Sequence, residues 1–232
     1  MSSNKEERLA ALANKRRRTI PPPGYFNLGH YYGGIFECAF VSPYTKTAGN
    51  VDSDIFVLLQ DWASHDSLSR NKVDEDALEY GYTRSLPTNK NLECRLKNHF
   101  GRSIRDVYAT NLFPFIKPGR MDTRIPWAHL VNAARDFALP QIEIIKPKLV
   151  ITLGLLCFQA LKSVAKGSAG EGRLAVAIAN PFELDCGAHV WCQGHTGRGA
   201  GRRGTHQTNE DWQSMAAWFN NEGGVAEPAG RR

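Results

Sequence analysis

The chain has 232 residues, 42% of them hydrophobic, and a formal net charge of +6. That length suits one α/β domain with tails, the apolar fraction supports a sizeable core, and no apolar run approaches the ~18 residues a membrane-crossing helix needs. Five scattered cysteines (Cys38, Cys94, Cys157, Cys186, Cys192) form no C-x-x-C pair, which argues against zinc fingers and ribbons and for reduced thiols. With no signal-like N-terminal run, a soluble intracellular protein is expected.

The first 18 residues carry Lys5, Arg8, Lys15, Arg16, Arg17 and Arg18 against Glu6 and Glu7, a local +4. The remainder is close to balance, so any anion-binding surface must come from local clusters. Residues 4–15 read as a short helix, ended by the basic run and the Pro21-Pro22-Pro23-Gly24 spacer. Residues 1–24 are thus expected to be a basic, partly flexible arm, residues 25–222 the compact domain, and residues 223–232 a flexible tail.

Asp54 to Leu59 has the composition and length of a buried strand. A long polar connection follows, from Ser64 to Asn91, with a turn expected at Leu86-Pro87-Thr88-Asn89, and then a helix from Asn91 to Phe100. Val107 to Thr110 reads as a second strand running into a Pro-rich loop, Asn111 to Arg120. Pro126 to Ile145 has helical spacing that Pro140 must bend or split. Lys148 to Gly154 is the clearest buried strand and passes into a helix from Leu155 to Val164. Leu174 to Ile178 reads as a weaker strand, His189 to Cys192 as another, and Gln207 to Asn220 as a final helix. Strands alternating with helices predict an α/β fold, a three-layer α/β/α sandwich around a mainly parallel four-stranded sheet.

In such folds ligands bind beyond the C-terminal ends of the strands. Gln60-Asp61, Asn111 and His195 all follow predicted strands. Asp61 suits a general base or an electrostatic stabiliser, with His195 as its complement. Asn111 offers a donor and an acceptor, enough to read the amide-like edge of a pyrimidine. His195 also opens a loop of glycines and arginines, Gly194 to His206, that contains no acidic residue. Such a loop suits close backbone approach to a ligand and forked contacts to phosphate.

Four segments spread over residues 54–219 carry a family resemblance. Leu59-Gln60-Asp61-Trp62-Ala63-Ser64 is similar to the GQDPYH water-activating motif of classical uracil-DNA glycosylases. Thr110 to Arg120 resembles the TNVVKCRPPxNR segment of that superfamily's iron–sulfur branch. Pro147 to Gly154, with Gln159-Ala160-Leu161, resembles its P-K-L-I-V-x-L-G…A-L strand–helix. Gly194-His195 stands where the HPS motif has its histidine, and Thr205 to Glu210 is similar to H-x-x-T-N-E.

The resemblance implies an enzyme that flips uracil out of DNA and hydrolyses its N-glycosidic bond, leaving an abasic site for base excision repair. It implies Asp61 and His195 as catalytic residues and Gln60, Trp62, Ala63 and Asn111 around the base. Either Tyr82 or Phe113 would stack on it. Thr196, Arg198, Arg202, Arg203 and Arg120 would contact DNA. No metal or cofactor is implied; the partner is uracil-containing DNA, single- or double-stranded. The expected form is a cytoplasmic monomer, associated with the nucleoid if the source is bacterial.

The chain also departs from the family pattern. Ala63 replaces the tyrosine that excludes thymine, which leaves Trp62 to take that part. Phe115 replaces a cluster cysteine, Thr196-Gly197 replace Pro-Ser, and the usual apolar wedge is missing, so Arg198 or Arg202 would fill the vacated stack. The alternatives are action on another deaminated or mismatched base (a thymine mismatch, hypoxanthine) and a DNA-binding module without turnover. A third is an unrelated doubly wound nucleotide-binding domain, although no G-x-G-x-x-G follows an early strand.

Overall fold

A computed structural model of the protein describes residues 2–70, 72–170, 172–197 and 203–223. Its centre is an open five-stranded sheet of order β2-β1-β3-β5-β4. The strands are β1 (Ile55–Asp61), β2 (Tyr108–Phe113), β3 (Leu149–Leu153), β4 (Phe182–Glu183) and β5 (His189–Gln193). Neighbours β2, β1, β3 and β5 run parallel, whereas β4 is antiparallel to β5 at the edge. The expected four strands become five because β4 has only two residues, too few for any alternation to register in a sequence.

The period-two geometry of the strands sorts their side chains onto two faces. Phe56, Leu58, Val150, Val190 and Cys192 join one core cluster. That cluster also takes residues from α5 (Trp127–Ala133), α6 (Leu139–Ile145) and α7 (Leu155–Lys166). Ile55, Val57, Leu59, Leu149, Ile151 and Leu153 join a second cluster. There they meet Leu92 and Leu96 of α4 (Pro87–Phe100), which follows the short helices α2 (His65–Leu68) and α3 (Glu75–Tyr80), and Trp212, Met215 and Phe219 of α9 (Thr205–Gly223). Both faces of the central strands are therefore dry, which is why β1 and β3 are continuous apolar runs and not alternating ones. Among the described residues no helix is long and apolar enough to cross a membrane.

Three expectations are corrected. The N-terminal helix α1 runs from Ser2 to Arg18, through the basic run, and is docked against the domain. Leu9, Ala13 and Arg16 lie on its inner face, and Arg16 is completely buried. Its guanidinium forks onto Glu37, with Nη1 2.8 Å from Oε2 and Nη2 2.5 Å from Oε1, and also reaches the carbonyls of Cys38 and Phe40. Second, the turn expected around Pro87 is the first turn of α4. Proline is tolerated there because the N–H it lacks would have no intrahelical partner. Third, Leu174–Ala179 is a helix, α8, not a strand. Three of its six residues are alanine, and β5 already pairs with β3 on one side and β4 on the other.

Pro140 does split its helical segment, as expected. A π turn, Ala134–Ala138, separates α5 from α6. Pro140 has no N–H to offer the carbonyl of Asp136, and Lys15 Nζ from α1 donates to that oxygen at 3.2 Å.

Candidate functional site

The four parallel strands end at one edge of the sheet, and their registers fix what converges there. Leu59 is level with Asn111 and Asp61 with Phe113 across β1 and β2, while Leu153 is level with Gln193 across β3 and β5. Asp61 closes β1, Asn111 lies inside β2, and His195 follows β5 by two residues.

Asp61 is held at both carboxylate oxygens. Gln60 Nε2 donates to Oδ1 at 3.0 Å, and Lys117 Nζ lies 2.8 Å from Oδ2. The Lys117 and Asp61 side chains are 2% and 8% exposed, so this is a buried ion pair at the end of a strand. Lys117 was not singled out from the sequence, where it is one lysine in a Pro-rich loop. The fold brings it to Asp61 by folding that loop back: Ser64 bridges to Lys117, and His65 N donates to the Lys117 carbonyl at 2.8 Å.

His195 is the third charged or chargeable member of the group. Burial holds its imidazole below its usual pKa; the Asp61 carboxylate opposes that shift and the Lys117 ammonium reinforces it. The backbone N–H of Gly197 donates to Nδ1 at 3.0 Å. With Nδ1 an acceptor, the neutral ring carries its proton on Nε2. Gly197 has to be glycine for this contact, since a Cβ there would lie 2.9 Å from the ring and 2.8 Å from Thr88 Oγ1. Thr196 secures the loop further back: its hydroxyl donates to the Thr88 carbonyl at 2.9 Å, and its own carbonyl accepts from Asn91 Nδ2 at 2.7 Å. The His195 loop is therefore anchored on α4.

Asn111 is 1% exposed. Ser42 Oγ donates to its Oδ1 at 2.6 Å and in turn accepts from Tyr44 N at 3.2 Å. In this arrangement the amide turns Oδ1 toward Ser42. Ser42 is a second residue the sequence did not reveal, since a serine 69 positions away carries no local signal of this pairing.

The remaining expected residues divide. Trp62 is pinned by Nε1 donating to the Gly81 carbonyl at 2.7 Å, and its ring meets Phe36 edge-on at 5.4 Å. Ala63 is packed into a satellite cluster with Phe36, Leu68 and Ile116. Phe113 is 2% exposed and packs edge-on against Tyr25 and Phe115. Tyr82 is half-buried and stacks on Tyr44 with ring centroids 4.7 Å apart. Arg120 is exposed, pairs weakly with Asp122 at 3.5 Å, and lines a cleft of 310 Å³ with Arg70, Asp66 and Ser67. Arg203 is engaged within the protein, forking onto Asp211 with Nη2 2.9 Å from Oδ1. Arg198 and Arg202 lie outside the described residues. Compared with models of known protein families and with curated protein sequences, the chain matches none.

Proposed function

We propose that this protein is a monofunctional uracil-DNA glycosylase, acting as a monomer in the cytoplasm on uracil-containing DNA. The observation that carries the reading is the donor state of His195. Its Nδ1 is occupied by the Gly197 N–H, its ring is held toward the neutral form by burial, against the field of the Asp61 carboxylate, and its proton therefore sits on Nε2. An acid that must transfer a proton is not needed for loss of a uracil anion; a fixed donor facing the developing charge on O2 is. Asp61, held as one of an ion pair, supplies negative charge to the oxocarbenium-like sugar and an acceptor for the attacking water. Asn111, with its amide fixed by Ser42, presents a polar edge to the pyrimidine. Of the two aromatics, Tyr82 is the better candidate to stack on the base, because Phe113 is committed to the core. Helices against both sheet faces support a three-layer α/β/α arrangement for the domain. Contacts to the phosphates fall to Arg120 and to the Gly/Arg loop, with Arg203 shaping that loop through Asp211.

The test is base excision by the purified protein on single- and double-stranded DNA carrying uracil, a thymine mismatch or hypoxanthine, scored as abasic sites. Uracil release is expected, slowed about 100- to 1,000-fold by His195→Ala, with DNA binding retained. No release from any of these substrates refutes the enzyme reading. A thymine mismatch is included because Ala63 is packed in the core and places no bulk against a methyl group; preferential release of thymine would replace uracil as the substrate. Binding should weaken steeply with salt through counterion release, and salt-independent binding would rule out the phosphate contacts.

A further inference from the structure

Lys117 places an ammonium in the interior, in a loop that backbone hydrogen bonds also hold. The loop is already held by several backbone hydrogen bonds: Phe26 and Ile116 exchange them at 3.0 and 2.8 Å, and His65 N reaches the Lys117 carbonyl at 2.8 Å. Burying a lysine head group costs several kcal/mol of desolvation, which a neutral side chain would avoid. The ammonium is nonetheless 2% exposed and directed at two acceptors, Asp61 Oδ2 at 2.8 Å and the Met121 carbonyl at 2.5 Å. The Met121 contact fixes the nitrogen, and the nitrogen fixes one carboxylate oxygen while Gln60 Nε2 takes the other at 3.0 Å. A carboxylate held at both oxygens from different directions has its plane set.

We infer that Lys117 is a positioning residue for base excision: its ammonium, anchored on the Met121 carbonyl, clamps the Asp61 carboxylate in one orientation at the strand-end site. The consequence for activity rests on the glycosylase reading; the clamp itself does not. A corollary concerns the histidine. Burial lowers the His195 pKa, Asp61 raises it and Lys117 lowers it, so loss of Lys117 removes one of the two influences that oppose the imidazolium and leaves Asp61 to favour it.

The experiment uses the full chain with Lys117→Met, Lys117→Arg, Asp61→Asn and the Lys117→Met/Asp61→Asn double variant. Single-turnover excision is measured beside the side-chain amide resonances of Gln60 and the ring titration of His195. Lys117→Met should slow excision about 100-fold, the scale of a reacting group displaced by an ångström, with DNA affinity unchanged. Lys117→Arg should recover at least about tenfold of that loss by restoring a cation. In the Asp61→Asn background, Lys117→Met should cost less than about threefold, because a residue acting through Asp61 has nothing left to position. The Gln60 amide signals should move in Lys117→Met, and the His195 ring should titrate at higher pH. A full additional loss in the double variant, or unmoved Gln60 signals, overturns the inference. If the wild type releases no base, the glycosylase reading fails while the Gln60 and His195 signals still decide the clamp. If Lys117→Met does not fold, Lys117→Arg carries the test: a folded variant with displaced Gln60 signals supports the clamp, and unchanged signals despite lost excision refute it.

Discussion

Two ion pairs, each with a buried cation, anchor different segments of this molecule, and they differ in what the cation has left to do. Arg16 forks onto both oxygens of Glu37 and also reaches two backbone carbonyls, so the pair welds α1 to residues 37–40. Lys117 meets one oxygen of Asp61 and one carbonyl, and the same carboxylate acts electrostatically on His195. Arginine's planar fork saturates a carboxylate, whereas lysine's point charge leaves the second oxygen and its lone pairs to others. The first pair is suited to holding a helix in place; the second, with Gln60 on the other oxygen, sets the orientation of a carboxylate at a strand end. A buried cation thus fastens a helix in one place and orients a carboxylate in the other.

The largest effects come from deleting one partner of each pair. Glu37→Ala and Asp61→Ala should each cost about 3–5 kcal/mol in unfolding free energy, because an unmatched cation stays buried. Replacing both partners separates the roles. Arg16→Met/Glu37→Leu should recover most of the stability and leave excision unchanged. Lys117→Met/Asp61→Leu should recover stability while excision remains lost. Denaturant melts beside single-turnover rates check this, and restored activity in the second double variant would show that the Lys117–Asp61 pair is merely structural.

Acid should act on the welding pair before deletion is needed. Burial alone would raise the Glu37 carboxyl, but hydrogen bonds from Arg16 and the Cys38 N–H, with the charges of Arg16 and Arg17, outweigh it and hold the group below its ordinary value. A carboxyl depressed on folding contributes stability that is fully present above its unfolded pKa, about 4.3, and lost as pH falls through the folded value. Stability should therefore decline below about pH 5, and Glu37→Gln should flatten that decline. A profile of the same slope in Glu37→Gln would mean that other carboxylates carry the acid sensitivity.

What could be read from the chain, and what could not, follows the range of the interactions. β1, β3 and α7 were legible because buried parallel strands are apolar runs and Gly154, at φ +100°, marks the strand-to-helix turn. Leu174–Ala179 was misread because alternating alanines and β-branched residues fit a strand as well as a short helix, and only the occupied edges of β5 decide it. Arg16 sits inside a Lys-Arg-Arg-Arg run that reads as part of a flexible arm, yet it is buried. Its phase, seven residues from Leu9 and three from Ala13, put it on the buried face of α1 and was the available signal. At the candidate site, Asp61, Asn111 and His195 were legible from their places after or within strands. Lys117 and Ser42 were not, because each reaches its partner across more than fifty residues through loop closure that leaves no periodic trace.

Smaller steric and polar changes around His195 probe how sharply its geometry matters. Gly197→Ala forces a Cβ to within 2.9 Å of the ring and 2.8 Å of Thr88 Oγ1, so the loop must shift. Overpacking of this kind costs about 1–3 kcal/mol, and excision should fall more than stability because the Nδ1 contact is lost. Ring chemical shifts of His195 would show the displacement, and unchanged shifts with normal excision would remove Gly197 from the account.

The mildest change is Asn91→Ala, which removes the 2.7 Å bond from α4 to the Thr196 carbonyl and touches neither His195 nor Gly197. One hydrogen bond of this kind contributes about 1 kcal/mol net. The Thr196 hydroxyl still donates to Thr88 at 2.9 Å, so the loop keeps a second tether. Excision should then fall by no more than about fivefold, the kinetic equivalent of that energy if it were all expressed at the reacting groups. The same variant should leave the Lys117–Asp61 side unaffected, since that clamp is built from β1 and the loop after β2. A loss as large as that of Lys117→Met would mean that the α4 anchor, and not the ion pair, sets the geometry of the site.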